Sequence, residues 1–198
     1  MGFFKTSRAL NIILLLLPML LNCALSLTSC TSGASVREKG PSVYLADNSK
    51  YFLLPASGIG QPMDMAQFIS ASYNGKNYYF NAWIKADETG LDISLFNELG
   101  ASLAELSYRD GAVDFSSSVF PKSLRPEYIV ADFQLCFYDS VLLGRALDNC
   151  GITLQTGGTK RRLLKGKKLI VEIEKSAGLV KLENHLRGYS YTLEGDFE

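Results

Sequence analysis

The sequence is poor in the residue types that most enzymes use for chemistry. Its 198 residues include one histidine, His185, and one tryptophan, Trp83. A lone imidazole with no cysteine beside it lacks the ligand spacing of a metal site, and the four cysteines, at 23, 30, 136 and 150, form no C-x-x-C pair. Twenty basic and twenty acidic side chains leave no net charge, which excludes the basic footprint of a nucleic-acid partner. The glycine runs Ser57-Gly58-Ile59-Gly60 and Thr156-Gly157-Gly158-Thr159 lack the lysine and hydroxyl order of a phosphate-binding loop. The paired acids Asp87 and Glu88 fall in a turn sequence, where solvated surface is their ordinary use. No base, nucleophile and orienting group come together, so neither catalysis nor any cofactor or metal is expected. A full membrane span is missing as well. The apolar stretch Ala9 to Leu21, interrupted by Asn11 and Pro18, falls short of the roughly 20 residues a bilayer core requires.

What the first thirty residues do contain is a charged start, Lys5 and Arg8 with no acid, followed by that apolar stretch. These are the two regions of an export signal. At its end Leu27-Thr28-Ser29-Cys30 resembles the lipobox of bacterial lipoproteins, with a branched apolar residue, two small ones and a cysteine. The resemblance implies removal of residues 1–29 and a covalent lipid on Cys30, the membrane contact of the mature chain. Thr31, where an aspartate would retain a lipoprotein at the inner membrane, implies an outer-membrane position facing the periplasm. Without Lys5 and Arg8 the mature chain keeps 18 of the 20 basic residues. Residues 30–42, small and polar, read as a flexible tether, and 43–198 as one domain.

Within that domain the periodicity is mostly two. Val43 to Leu54 reads as a first strand, and Met65 to Ser117 as an antiparallel meander with tight turns at Asn74-Gly75 and Asp110-Gly111 and looser ones at Asp87–Gly90 and Asn97–Gly100. Leu91, Ile93 and Leu95 share one face of a strand. After Pro121 the period changes to between three and four. Ser123 is placed to cap a helix with Pro126 in its first turn and a stripe of Leu124, Tyr128, Ala131 and Leu135 broadened by Ile129, Phe133 and Phe137. Asp139 or Ser140 then caps a second helix, ended by Asn149 and Gly151. Five more strands follow. Many strands, two helices, many strands predicts a mainly β (α+β) fold: a strongly curved antiparallel half-barrel sheet of about ten strands with two helices on its concave face. Cys136 and Cys150 are the two thiols left for a disulfide, which requires the chain to turn back between them, since an unbroken helix would hold them about 21 Å apart.

The run from Leu91 to Leu106, Leu-Asp-Ile-Ser-Leu-Phe-Asn-Glu-Leu-Gly-Ala-Ser-Leu-Ala-Glu-Leu, resembles the strand, turn and strand of LolB, the outer-membrane acceptor of lipoproteins. The order Leu54-Pro55, Leu99-Gly100, Leu124-Arg125-Pro126-Glu127, Asp132-Phe133-Gln134-Leu135, Arg162-Leu163 and Val171–Ile173 is similar to an uncharacterised family of bacterial lipoproteins with a LolA/LolB-like fold, some encoded beside aryl-polyene genes. The sequence departs from the pattern where Phe137-Tyr138-Asp139 replaces a Trp-Pro pair and where Glu98 replaces the turn proline.

That resemblance implies an apolar cavity for a lipid or acylated ligand, with a periplasmic carrier protein as a candidate partner. Phe80, Trp83, Ile93, Leu95, Leu106, Phe133, Phe137, Val171 and Ile173 are the candidate liners, although Phe80 and Trp83 lie on opposite faces of one strand, and a dry packed core is the competing outcome. Leu99, matching the turn leucine of LolB, is the candidate protruding tip. The basic residues Lys160, Arg161, Arg162, Lys165, Lys167 and Lys168 around one hairpin read either as a lipid-headgroup contact or as a solvated edge that discourages aggregation. A non-enzymatic envelope scaffold is the alternative function.

Overall fold

The computed structural model describes residues 40–195, so Cys30 and the leader lie outside the described residues. The segment expected as one first strand is a hairpin. β1 (Ser42–Ala46) and β2 (Ser49–Phe52) pair antiparallel with each other, because Asn48 takes φ 57° and reverses the chain. This hairpin stands apart from the main sheet and packs on the helices.

Turn chemistry sets the next five strands. Asn74-Gly75 has φ values of 50° and 72°, and Asp110-Gly111 50° and 76°. Two successive left-handed residues match the twist of a two-residue hairpin. They join β3 (Met63–Tyr73) to β4 (Lys76–Asp87), and β6 (Ser102–Arg109) to β7 (Ala112–Ser117). β5 (Gly90–Phe96) lies between these pairs. The acids singled out at 87 and 88 belong to its entry turn, where the Asp87 carboxylate accepts from Thr89 N, Thr89 Oγ and Gly90 N.

Helix α1 (Glu127–Phe137) follows, then α2 (Ser140–Asp148). Ser123 does not cap α1. Leu124 N donates to Pro121 O in a turn that ends before the helix, and Pro126 is the residue at its start. The α2 cap is Asp139, which accepts from Val141 N and Leu142 N. Between the helices the chain passes close to the loop after β2. A Cβ on Gly58 would stand 2.7 Å from Leu142 Cδ2 and 2.8 Å from the Tyr138 ring, so only glycine fits there.

A second meander, β8 (Thr153–Gly157), β9 (Lys160–Lys165), β10 (Lys168–Ser176), β11 (Leu179–Asn184) and β12 (Tyr189–Glu194), completes one ten-stranded antiparallel sheet in the order 7-6-5-4-3-12-11-10-9-8. The helices carry the chain from one edge, β7, to the other, β8. The two meanders meet along β3 and β12, where Ile69 faces Leu193 and Tyr73 faces Tyr189. The sheet is open, not closed into a barrel.

It is also bent. Seven strand spacings separate β6 from β9, roughly 34 Å if flat, whereas one helix with its side chains is about 10 Å wide. Yet Arg161 of β9 donates to carbonyls of α1, and Tyr108 of β6 donates to Leu54 O, which also accepts from Gln134 of α1. Only a sheet curled around α1 brings both within reach. The concave face supplies Ala82, Ile84, Ile93 and Leu106 from one half and Ile173, Val180 and Leu182 from the other, against Val130, Ala131 and Leu135 of α1, all buried.

Candidate functional site

Three polar seats hold α1 in this concavity. At the first, Gln134 is completely buried. Its Oε1 accepts from Tyr51 OH at 2.9 Å and Leu54 N at 3.0 Å, and its Nε2 donates to Leu54 O at 2.7 Å. At the second, the Asp132 carboxylate accepts from Tyr189 OH at 2.7 Å, and Tyr189 in turn accepts from Asn184 Nδ2 at 3.2 Å. Burial pushes Asp132 up to about 7, against the lowering effects of the Tyr189 hydrogen bond and the Arg187 charge. Arg187, in the turn between β11 and β12, stacks over the Tyr128 ring at 4.2 Å and donates to Tyr128 OH and Tyr44 O. The third seat lies at the C-terminal end of α1. There Arg161 Nη1 donates to Leu135 O and Cys136 O at 3.0 and 3.1 Å, and Nη2 to Ser140 Oγ at 3.0 Å. A guanidinium on the last carbonyls of a helix satisfies otherwise unpaired acceptors and offsets the negative end of the dipole.

Of the nine candidate liners, six lie on the inner face of the sheet, two belong to α1 and one points outward. Ile93, Leu106, Phe133, Val171 and Ile173 are buried in the core, Leu95 and Phe137 pack at its margin, and Phe80 rests on Phe120 with ring centroids 5.8 Å apart. Trp83 is on the other side of the sheet, 50% exposed, with its Nε1 donating to Asp64 Oδ1; the register that puts Ala82 and Ile84 inward turns residue 83 outward. The inward side chains fill most of the space under α1. Where the C-terminal end of α1 meets β3, β10 and β11, a cleft of about 350 Å³ opens, lined by apolar residues that include Pro62, Met63, Met65, Phe137 and Val180, and by polar ones that include Asp139, Ser140, Arg161 and Lys175.

Leu99 is 93% exposed at the β5–β6 turn. The turn is braced from within, since Asn97 Oδ1 accepts from Leu99 N and Ala101 N and Gly100 takes φ 80°. Phe96 pairs with Asn81, so this tip lies at the end of the sheet where β4 begins. Tyr78 and Tyr79 are exposed at that same end, as are Tyr73 and, after β7, Val119.

Cys136 and Cys150 are both free thiols. Cys136 Sγ lies 3.8 Å from Tyr191 OH under α1, with burial pushing it up to about 12, whereas Cys150 Sγ bonds to Leu147 O beyond α2. Each sulfur is turned to its own helix's surroundings, so the bridge is not formed. The basic cluster divides. Lys160 and Arg162 pair with Glu172 on the outer face, Arg161 points inward, and Lys165, Lys167 and Lys168 surround the β9–β10 turn. His185 lies 3.5 Å from Glu183. Among the described residues no group of three His, Cys, Asp or Glu is placed to hold a metal ion, and no helix is long and apolar enough to cross a membrane.

Sequence reasoning gave Asp132 and Lys175 no role of their own and placed Arg161 only within a basic cluster. A period of two was available for the last two: Arg161 alternates with Lys160 and Arg162, and Lys175 continues the inward series Val171, Ile173.

These features define a class by its fold: an open, curved antiparallel sheet wrapped on a helix pair. Residues 64–195 match the family described as protein of unknown function (DUF3261), and the chain belongs to it. That match begins inside β3 and runs through β12, leaving the β1–β2 hairpin outside. No curated protein matches the chain.

Proposed function

We propose that this protein is a lipid-anchored envelope protein, held at the outer membrane by Cys30, which takes the acyl part of a lipid or lipidated protein reversibly between sheet and helices for transfer or localisation. The observation that carries this reading is Leu99. A leucine 93% exposed on a hydrogen-bonded turn forgoes a burial worth about 1.5–3 kcal/mol, and an apolar partner returns that energy. The exposed tyrosines and Val119 at the same end of the sheet enlarge the patch, and the tyrosines suit a membrane–water boundary. The LolB-like turn sequence and the lipobox agree with this use. No covalent chemistry is involved.

Leu99→Asp is expected to leave stability within about 0.5 kcal/mol of the parent, as for other exposed sites, and to lower association with phospholipid vesicles or delivery of a lipoprotein to them about tenfold. Unchanged association would remove the role of the tip. Labelled palmitate is expected to enter the wild type and not Cys30→Ser; equal labelling of both sinks the anchor.

The filled interior favours a second reading, a non-enzymatic scaffold that recruits an envelope partner through its surface. Co-purification of lipid from a bacterial extract supports the first reading, and a stoichiometric protein partner without lipid supports the second.

A further inference from the structure

The cleft at the C-terminal end of α1 holds one positive charge that the fold does not use. Arg161 is committed to the helix carbonyls and Ser140, and Asp139, beside it, to the cap of α2. Lys175 reaches neither. Its Nζ stands 4.8 Å from the centre of the Phe137 ring, and no described carboxylate lies within 4.0 Å of it. The aromatic face positions an ammonium without neutralising it. Burial, and then the neighbouring Arg161 charge, hold the Lys175 pKa below its ordinary value, so the two cations oppose each other in a partly dry place.

A second polar group is stranded on the strand that carries the cleft's methionines, outside the cleft lining. Gln67 lies on the inward face of β3, one step along from Met65 of the cleft wall, 4% exposed, with neither its Oε1 nor its Nε2 hydrogen-bonded. Buried amides are almost always paired. The apolar wall of the cleft itself includes Met63, Met65, Phe137 and Val180. Methionine surfaces adapt to chains of varied shape.

We propose that this cleft seats the head of an anionic amphiphile, its carboxylate or phosphate oxygens on Lys175 and its first methylenes against Met63, Met65 and Val180. The inference rests on the acyl-binding reading above and specifies the headgroup. An anion here neutralises the unused ammonium and eases its repulsion with Arg161. A trimethylammonium head meets the unpaired Lys175 ammonium, while Asp139 is already engaged by the α2 cap, and a neutral head gains nothing from that charge.

The test uses the full chain in nanodiscs of neutral lipid, with a diazirine-bearing decanoate as the probe and its attachment sites mapped by mass spectrometry. Labelling is expected at Met63, Met65 or Phe137. Decanoate and decyl phosphate should displace it at concentrations at least tenfold below those needed for monodecanoylglycerol or decyltrimethylammonium, and inorganic phosphate should not displace it. Lys175→Gln should weaken the two anionic competitors at least fivefold without moving the neutral one, while Lys175→Arg keeps the anionic preference; circular dichroism confirms that both variants are folded. Equal displacement by neutral and anionic competitors overturns the headgroup assignment and leaves acyl binding standing. Displacement by inorganic phosphate alone overturns the amphiphile. Absence of labelling anywhere in the interior, by this probe or a neutral decyl diazirine, overturns both readings.

Discussion

Gln134→Leu is expected to destabilise the protein by about 3–5 kcal/mol, because it removes one amide that three groups depend on. Tyr51 OH and Leu54 N both donate to it, and Leu54 O accepts from it. Each buried group left unpaired costs about 1–3 kcal/mol. Leu54 O keeps its bond from Tyr108, so the losses fall on Tyr51 and the Leu54 amide. In a domain of this size such a loss corresponds to a fall in Tm of roughly 10 °C, measurable by thermal or urea unfolding. Hydrogen exchange should rise first in β1 and β2, which Gln134 ties to α1, and least in β4. A change under about 1 kcal/mol would mean that the apolar contacts of the hairpin and the bonds to its β1 carbonyls hold it without Gln134.

Stability is also expected to fall as pH rises from about 4 to about 7, through Asp132. Its folded carboxyl keeps its proton up to about 7, mainly because of burial, while the unfolded one releases it near 3.8. In that window the folded state binds more protons than the unfolded state, so the unfolding free energy decreases with rising pH. Below the window both states are protonated, and above it both are ionised. A displacement of this size corresponds at most to roughly 4 kcal/mol. Asp132→Asn, still an acceptor for Tyr189 and neutral throughout, should be more stable than the parent at pH 8 and lack this component of the slope. Cys136 titrates outside the window, at about 12, and Tyr189 and Tyr191 are shifted further from it. A variant with the parent's pH profile would assign the dependence to other carboxylates.

Local chemistry was legible in the sequence and long-range choice was not. Asn74-Gly75, Asp110-Gly111 and the Asp139 cap act through their own backbone neighbours, and each stands where the sequence places it. The strand–helix–strand order conveyed the architecture, since a helix pair between two meanders has a sheet face to cover. The first strand was read as unbroken from Val43 to Leu54, yet Asn48 adopts the left-handed region at φ 57° and turns the chain; asparagine tolerates it better than most residues. Ser123 failed as a cap because the residues from Pro121 to Leu124 close a turn of their own, before the helix starts at Pro126. Phe80 and Trp83 could not be assigned to faces without the register, which pairs residue 83 with Ala66 and residue 80 with Ile69. Among the site residues, Leu99 was visible through its turn, whereas Arg161 was read with its basic neighbours as one cluster although it points inward, and Lys175, at the far end of β10, drew no reading.

The seam between β3 and β12 has a consequence for how the molecule is assembled. The first meander closes through short hairpins, but its β3 edge waits until more than a hundred further residues have been delivered. Until then α1 has one wall and an oily groove lies open, a hazard for any chain that folds slowly through long-range pairings. Deleting β12 would divide one continuous sheet into two five- and four-stranded halves with newly bare edges, and aggregation of that truncated product is the outcome to anticipate.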